Sequence, residues 1–432
     1  MGSDAAQDHD VDVTLGDLGV LLLDAGTSVT DVRSSLEKVH QRTEPAASLH
    51  FAILPELVIV SRPGSAFATT TGASVAPLTF RQAAHASRLV RDLESGRAAL
   101  STVPDRIAGI RAIPRRHPAL QNIVGTGLLS MGLAVVVRCP WWAIALAFLV
   151  GLLVGAMTTF MSRVPSASAI APFVTAFVST LCVGTVANIF DLGPVPLFAV
   201  CAPIAVLVPG ALITNALLEL TATDIVTGAA RLSYGIIILV FMAAGVFSGA
   251  AVTGLAINSK SAALIGQGAE AVSHGGWEAL PSLWFSWLGV AVLAAGVGLA
   301  FGAGSRLVLV SVAVMLGTYA VLSLLIPTLG TIVATGVAAT LLFIAARALE
   351  RLTLAIPATI SFQPAFLLLV PGTVGLVALT SFDAQALATA PMIFLSLCIG
   401  TKVGALIADL ANITRTTFQS RRSAAGLPTQ QS

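Results

Sequence analysis

The sequence predicts a polytopic α-helical membrane protein of about ten transmembrane helices, arranged as two inverted five-helix repeats behind a small α/β amino-terminal domain. Three observations lead there. The 432-residue chain is 56% hydrophobic and only 10% charged, with a mean hydropathy of +0.91, too little charge to clothe a water-soluble globule. The apolar excess lies almost wholly between Ala119 and Leu410, whereas the residues before Pro118 have ordinary polarity. Finally, a Val-Pro-Gly tripeptide recurs in the fourth apolar segment of each half, at 208–210 and 370–372.

The amino-terminal domain comes first in the chain. Residues 15–23 and 29–39 show helical apolar spacing, separated at Gly26, with Ser28 placed to cap the second helix. Residues 49–61 and 66–78 are rich in β-branched side chains and flank Arg62-Pro63-Gly64, which predicts paired strands. Residues 80–93 return to helical spacing. The domain holds no nucleophile elbow, phosphate loop or metal-ligand spacing, so a regulatory or gating role is expected rather than a catalytic one. The acidic start MGSDAAQDHDVDVTLGD lacks a basic stretch followed by an apolar one, and no cleaved signal peptide is expected.

Cutting the apolar region at its polar, Gly and Pro breaks yields segments of roughly 20 residues. They begin near Ala119, Trp141, Ser168, Val195, Ser233, Ser282, Leu307, Thr328, Pro357 and Ala388. The expected organisation is a cytoplasmic α/β domain over 1–117, a first five-helix repeat over 118–258, and an extracytoplasmic loop over 259–281. A second five-helix repeat over 282–411 and a cytoplasmic tail over 412–432 complete it. Arg163, Arg231, Arg306, Arg347, Arg351, Arg415, Arg421 and Arg422 fall on one side, against Arg138 and Lys260 on the other. The positive-inside rule then places both termini in the cytoplasm of a multi-pass protein of the cell (inner) membrane. Trp141, Trp142, Trp277, Trp284 and Trp287 all fall at outer ends, as an interfacial belt would.

Glycines four apart recur at Gly151 and Gly155, Gly245 and Gly249, Gly298 and Gly302, and Gly400 and Gly404, which reads as close helix packing. The four cysteines lie far apart without C-x-x-C spacing, and all six histidines fall outside the spans. Neither a metal site nor a cofactor is expected. A net charge of +2 without a basic, aromatic-interleaved patch points away from nucleic acid.

The two Val-Pro-Gly breaks are the functional signal. A mid-helix proline lacks an N–H and displaces the carbonyl four residues earlier, at Ala205 and Leu367, and the following glycine lets the chain leave helical geometry. A half-helix then starts near Ala211 or Thr373 with unpaired N–H groups and a partial positive charge. With five spans per half, both amino ends face the bilayer midplane, where they suit a carboxylate, while the freed carbonyls suit an ammonium group. Pro209, Gly210, Ala211, Thr214, Asn215, Gln363, Pro371, Gly372 and Thr373 are the candidate substrate-binding residues. Ala211, Asn215 and Glu219 share one helix face. Glu219, Asp224, Arg231 and Lys402 are the candidates for proton coupling or gating, since ionisable groups within a membrane are costly. The alternative for Glu219 is an ion pair with Arg231 that holds the inner loop.

The run VPGALITNALLELTATDIVTGAARL resembles the signature of the threonine/serine exporters through Pro209, Gly210, Thr214, Asn215, Glu219, Gly228 and Arg231. Glu219 stands where Asp is commoner, and Thr223 where Gly is usual. LLLVPGTVGL, at Pro371, Gly372 and Gly375, resembles the start of the matching carboxyl-half motif. LLLDAGTSVTDVRSSLEKV is similar to that family's amino-terminal domain. The resemblance implies proton-driven efflux of small amino acids such as threonine and serine, by a protein that is not an enzyme. Its partners would be the amino acid, protons and the lipid bilayer; a homo-oligomer is compatible with the sequence. A dicarboxylate exporter of succinate-like substrates is the alternative within this architecture. A membrane-embedded sensor or enzyme working through its soluble domain is the alternative outside it.

Overall fold

The computed structural model describes residues 2–43, 48–63, 68–72, 77–258, 276–353 and 384–424, with isolated positions 365, 368, 369 and 380. Helices α1 (Gly2–Asp24) and α2 (Val29–Thr43) open the chain. Ser28 accepts from the Asp31 N–H at 3.2 Å and donates to the Asp31 carboxylate at 2.8 Å, closing the start of α2. An antiparallel sheet follows, of β1 (His50–Leu54), β2 (Leu57–Ser61) and β3 (Ala68–Gly72) in that order. The expected single strand over 49–61 is instead a hairpin, with Leu54 opposite Leu57. Pro55 turns the chain there, because its ring presets a turn and its missing N–H leaves no donor for a ladder.

Helix α3 (Phe80–Glu94) starts at a capping box made by Thr79 and Gln82, and α4 (Val103–Arg111) follows it. Leu15, Leu18 and Leu21 of α1, Val32 and Leu36 of α2, Val58 and Val60 of β2, and Leu89 and Leu93 of α3 share one apolar core. Arg111 donates to the Asp24 carboxylate at 2.7 Å and ties the end of this unit to its first helix.

The apolar region is helical: α5 (Pro118–Val136), α6 (Trp141–Met161), α7 (Pro165–Phe190), the short α8 (Leu197–Cys201), α9 (Gly210–Thr221) and α10 (Ile225–Thr253). After it come α11 (Leu283–Ala300), α12 (Ser305–Thr353) and α13 (Ala384–Ala424). Among the described residues, seven helices are long and apolar enough to cross a membrane, so the protein is a multi-pass membrane protein. One of the seven, α12, has 49 residues, about 73 Å, more than twice a hydrocarbon core of about 30 Å. Its backbone breaks at Gly330 (φ 72°, ψ 164°), three residues after Pro327, which divides it into two helical lengths.

Helix α10 begins eight residues before the expected Ser233, and α13 runs into the expected tail as far as Ala424. Hydropathy marks the bilayer core, and hydrogen bonding carries a helix past it. Tight strands β4 (Val195–Pro196) and β5 (Ile257–Asn258) pair in parallel between the ends of α7 and α10.

Helices α5 and α11 run antiparallel and touch backbone to backbone. A Cβ on Gly125 would lie 2.8 Å from the Ala300 Cα, one on Gly132 2.7 Å from the Leu293 Cα, and one on Gly296 2.8 Å from the Leu129 Cα. Gly151 and Gly155 meet α5, Gly245 and Gly249 meet α7, and Gly400 and Gly404 meet the second half of α12. Gly302 behaves differently from the expected packing pair. It sits past the end of α11 at φ 68°, where the Ala303 N–H bonds to the Gly298 carbonyl at 2.7 Å and the Gly302 N–H to Leu299 at 3.2 Å, a helix-terminating motif.

Candidate functional site

The fourth apolar segment is broken, and its parts are held from outside. After α8 the chain passes through a single 3₁₀ turn at Ala205–Leu207, and α9 opens at Gly210 with Pro209 as its N-cap. Its N-cap makes no side-chain hydrogen bond to that amino end. The broken stretch frees carbonyls that helix bonds would otherwise use. Ser179 on α7 donates to the Val200 carbonyl at 3.1 Å, while Ser130 on α5 donates to its own helix at the Thr126 carbonyl, 2.7 Å away, with the Pro203 carbonyl at 3.4 Å. The Ala205 carbonyl accepts from the Val208 N–H at 3.2 Å, so it is engaged locally rather than held open for an ammonium group. Cys201 hydrogen-bonds Thr380, near the end of the second Val-Pro-Gly segment.

Both serines are fully buried, and sequence reading missed them. Lone hydroxyls inside apolar spans were the available signal, but most such hydroxyls bond their own helix, as Thr126, Thr180 and Ser130 itself do.

Thr214 lies one turn into α9. It is 1% exposed, and its Oγ has no hydrogen-bond partner among the described residues. Farther along α9, about 14 Å from Gly210, the other candidates meet. Arg231, on the second turn of α10, donates to Glu219 Oε1 in an ion pair. Glu219 is fully buried, and its Oε2 has no partner among the described residues.

The third element at this end comes from the amino-terminal unit. The Val29 N–H, at the start of α2, donates to Glu219 Oε1 at 3.0 Å. Thr30 donates to Asp224 Oδ2 at 2.7 Å, and Arg33 donates to Asp224 Oδ1 at 2.8 Å. Asn215 donates from Nδ2 to the Gly26 carbonyl at 3.0 Å. The Asn215–Glu219 face of α9 is therefore covered by the α1–α2 loop.

Burial works to raise the Asp224 carboxyl. The hydrogen bonds from Arg33 and Thr30, with the positive charges of Arg33 and Lys402, outweigh it and hold Asp224 below its usual value. Lys402 itself is exposed on α13, which packs against α9. A second attachment of the amino-terminal unit lies at the end of α11. The Phe80 N–H donates to Phe301 at 3.0 Å, their rings stack at 5.3 Å, and Arg115 donates to the Leu299 carbonyl at 3.1 Å and to that of Ala300 at 2.6 Å.

The structure thus brings Asn215, Glu219, Asp224, Arg231 and Lys402 to one end of α9, with Pro209, Gly210 and Ala211 at the other. Gln363, Pro371, Gly372 and Thr373 lie outside the described residues. Among the described residues, no group of His, Cys, Asp and Glu is arranged to hold a metal ion.

A family profile described as "Putative threonine/serine exporter" (ThrE) matches residues 14–253, more than half of the chain, from α1 to the end of α10. No curated protein and no solved structure matches the chain.

Proposed function

This chain belongs to the threonine/serine exporter family, a family of membrane transporters rather than enzymes, and we propose that it is a proton-coupled secondary exporter of threonine and serine. The observation that carries this reading is the break before α9. The Gly210 N–H donates to the Val208 carbonyl at 2.8 Å, and the rest of the first turn at this amino end, which the Pro209 N-cap does not bond through its side chain, offers N–H groups and partial positive charge to a carboxylate. Pro209, Gly210 and Ala211 form that end, and Thr214, with its unpaired buried hydroxyl, stands one turn away. Pro371, Gly372 and Thr373, preceded by Gln363, supply the partner end in this reading, on the strength of the repeated tripeptide.

The packing supports two inverted repeats of five. In the first half α5 packs on α6 and α7 on α10; in the second, α11 packs on the first part of α12, and its second part on α13. The two opening helices, α5 and α11, cross antiparallel, as inverted copies must. The divided α12, the broken α8–α9 segment and the second Val-Pro-Gly segment bring the spans to ten.

Orientation follows from the two ends of α11. Trp284 and Trp287 begin it, and the Trp141 N–H reaches the nearby Ala279 carbonyl at 3.4 Å, so the tryptophans mark the outer end. The amino-terminal unit binds the opposite end, which supports a reading in which it and both termini lie on the cytoplasmic side of the cell (inner) membrane. Glu219 and Asp224, with Arg231 and Lys402, form the coupling and gating set at that inner end.

Efflux from loaded vesicles tests the reading. Threonine and serine are expected to leave faster with a proton gradient than without it, and succinate to leave slowly in both cases. Gradient-stimulated efflux of succinate alone would replace the amino acid with a dicarboxylate. Glu219→Gln is expected to flatten the dependence of efflux on external pH while substrate exchange persists. An unchanged pH profile in that variant would remove Glu219 from coupling.

A further inference from the structure

We propose that the α1–α2 loop with the first turn of α2, residues 25–33 and here called the loop, is a latch over the inner end of α9: it holds the transporter closed on that side and must lift for substrate to pass. The inference rests on the transport reading, because it assigns a state to that same site.

Four contacts across some 190 residues of sequence make the latch. They are Val29 to Glu219, Thr30 and Arg33 to Asp224, and Asn215 to Gly26. They span both ends of the α9–α10 turn, so the loop cannot leave one helix while staying on the other. Glu219 sits at the amino end of α2, where its charge faces the partial positive charge of that helix. It therefore does two tasks, pairing with Arg231 inside the bundle and terminating a helix that belongs to another unit.

Two polar atoms of α9 are left without partners in this arrangement. Thr214 Oγ and Glu219 Oε2 are both buried without a hydrogen-bond partner among the described residues. Native folds seldom leave such atoms unpaired unless a second state or a ligand satisfies them. Lifting the loop exposes that end of α9 to water and to the substrate's polar groups. Both sides of the contact fall within the range of the family match. The second attachment, from Phe80 and Arg115 to the end of α11, is a separate anchor that keeps the amino-terminal unit on the bundle when the latch contacts part.

The test uses the full chain in vesicles, with Cys139, Cys182, Cys201 and Cys398 replaced. Thr30→Cys with Asp224→Cys places two thiols where the 2.7 Å hydrogen bond now stands. Oxidation is expected to slow threonine efflux about tenfold or more relative to the same protein reduced, as for a closed lid, and dithiothreitol to restore it. Cross-linked protein that exports at its reduced rate overturns the latch. A second arm needs no transport. In a Thr214→Cys background, Arg33→Ala is expected to speed labelling by an impermeant maleimide from the cytoplasmic side several-fold, and Arg33→Lys to do so less. Equal labelling rates in all three overturn the latch. If the reduced pair and the cysteine-free parent move no threonine while Arg33→Ala still opens Thr214→Cys, the substrate reading fails and the latch stands.

Discussion

Gly296→Val is expected to abolish recovery of folded protein from membranes. Gly296 lies in the seam between α5 and α11, where an added Cβ would overlap the Leu129 backbone N and come within 2.8 Å of its Cα. Backbone atoms cannot rotate away as a side chain can, so the two helices would have to separate. Separation also undoes the close approaches at Gly125, Gly132 and Gly289 on the same seam. In lipid, such packing is the main attraction between helices, because no hydrophobic drive replaces it. The cost should reach or exceed about 3 kcal/mol, the upper end of ordinary overpacking. Gly317→Ala is the control: it is helical on α12, and an added Cβ would meet nothing within 4 Å. It is expected to be neutral, or to stabilise by roughly 0.5 kcal/mol. The measurement is thermal unfolding and size-exclusion profile in detergent. A monodisperse Gly296→Val protein melting with the control would remove the seam from the account of how the halves join.

Arg231→Ala is expected to destabilise the junction of α9 and α10 strongly. It strands the Glu219 carboxylate, fully buried, with the Val29 N–H as its remaining described donor. Removing one partner of a buried pair costs about 3–5 kcal/mol, chiefly because the other charge is left uncompensated. Replacing both groups should cost far less, so Arg231→Met with Glu219→Leu is expected to recover most of the lost stability. That recovery separates a stranded charge from simple loss of packing. Arg97, more than half exposed beside Asp92, provides the reference. Its truncation should change stability by less than about 1 kcal/mol. Should Arg231→Ala melt no lower than Arg97→Ala, the ion pair would carry no structural weight.

Much of this protein could be read one residue at a time. Helix starts at Trp141, Leu283 and Phe80 fell within a residue or two of where composition places them, because a Pro, Ser or Thr marks the boundary locally. The break at Pro209 and Gly210 was legible for the same reason: a proline cannot donate, whatever surrounds it. Boundaries outside the bilayer core were less legible. Helix α10 begins at Ile225 because hydrogen bonding, unlike hydropathy, does not stop at the edge of the lipid. The hairpin at Pro55 was read as one strand because the residues on both sides share the same β-branched character.

What the sequence by itself determined is the membrane class, the interrupted helix and the candidate residues on α9 and α10, since each depends on spacing along one segment. Only the tertiary structure decided what those residues touch. Helical spacing puts Asn215 and Glu219 on one face, but the α1–α2 loop that covers it lies about 190 positions earlier in the chain. Likewise, Ser179 is an ordinary hydroxyl until folding sets it beside the freed carbonyl of Val200. A local pattern records the geometry of one helix, whereas a contact between distant segments depends on how whole helices pack, and no single stretch of sequence carries that.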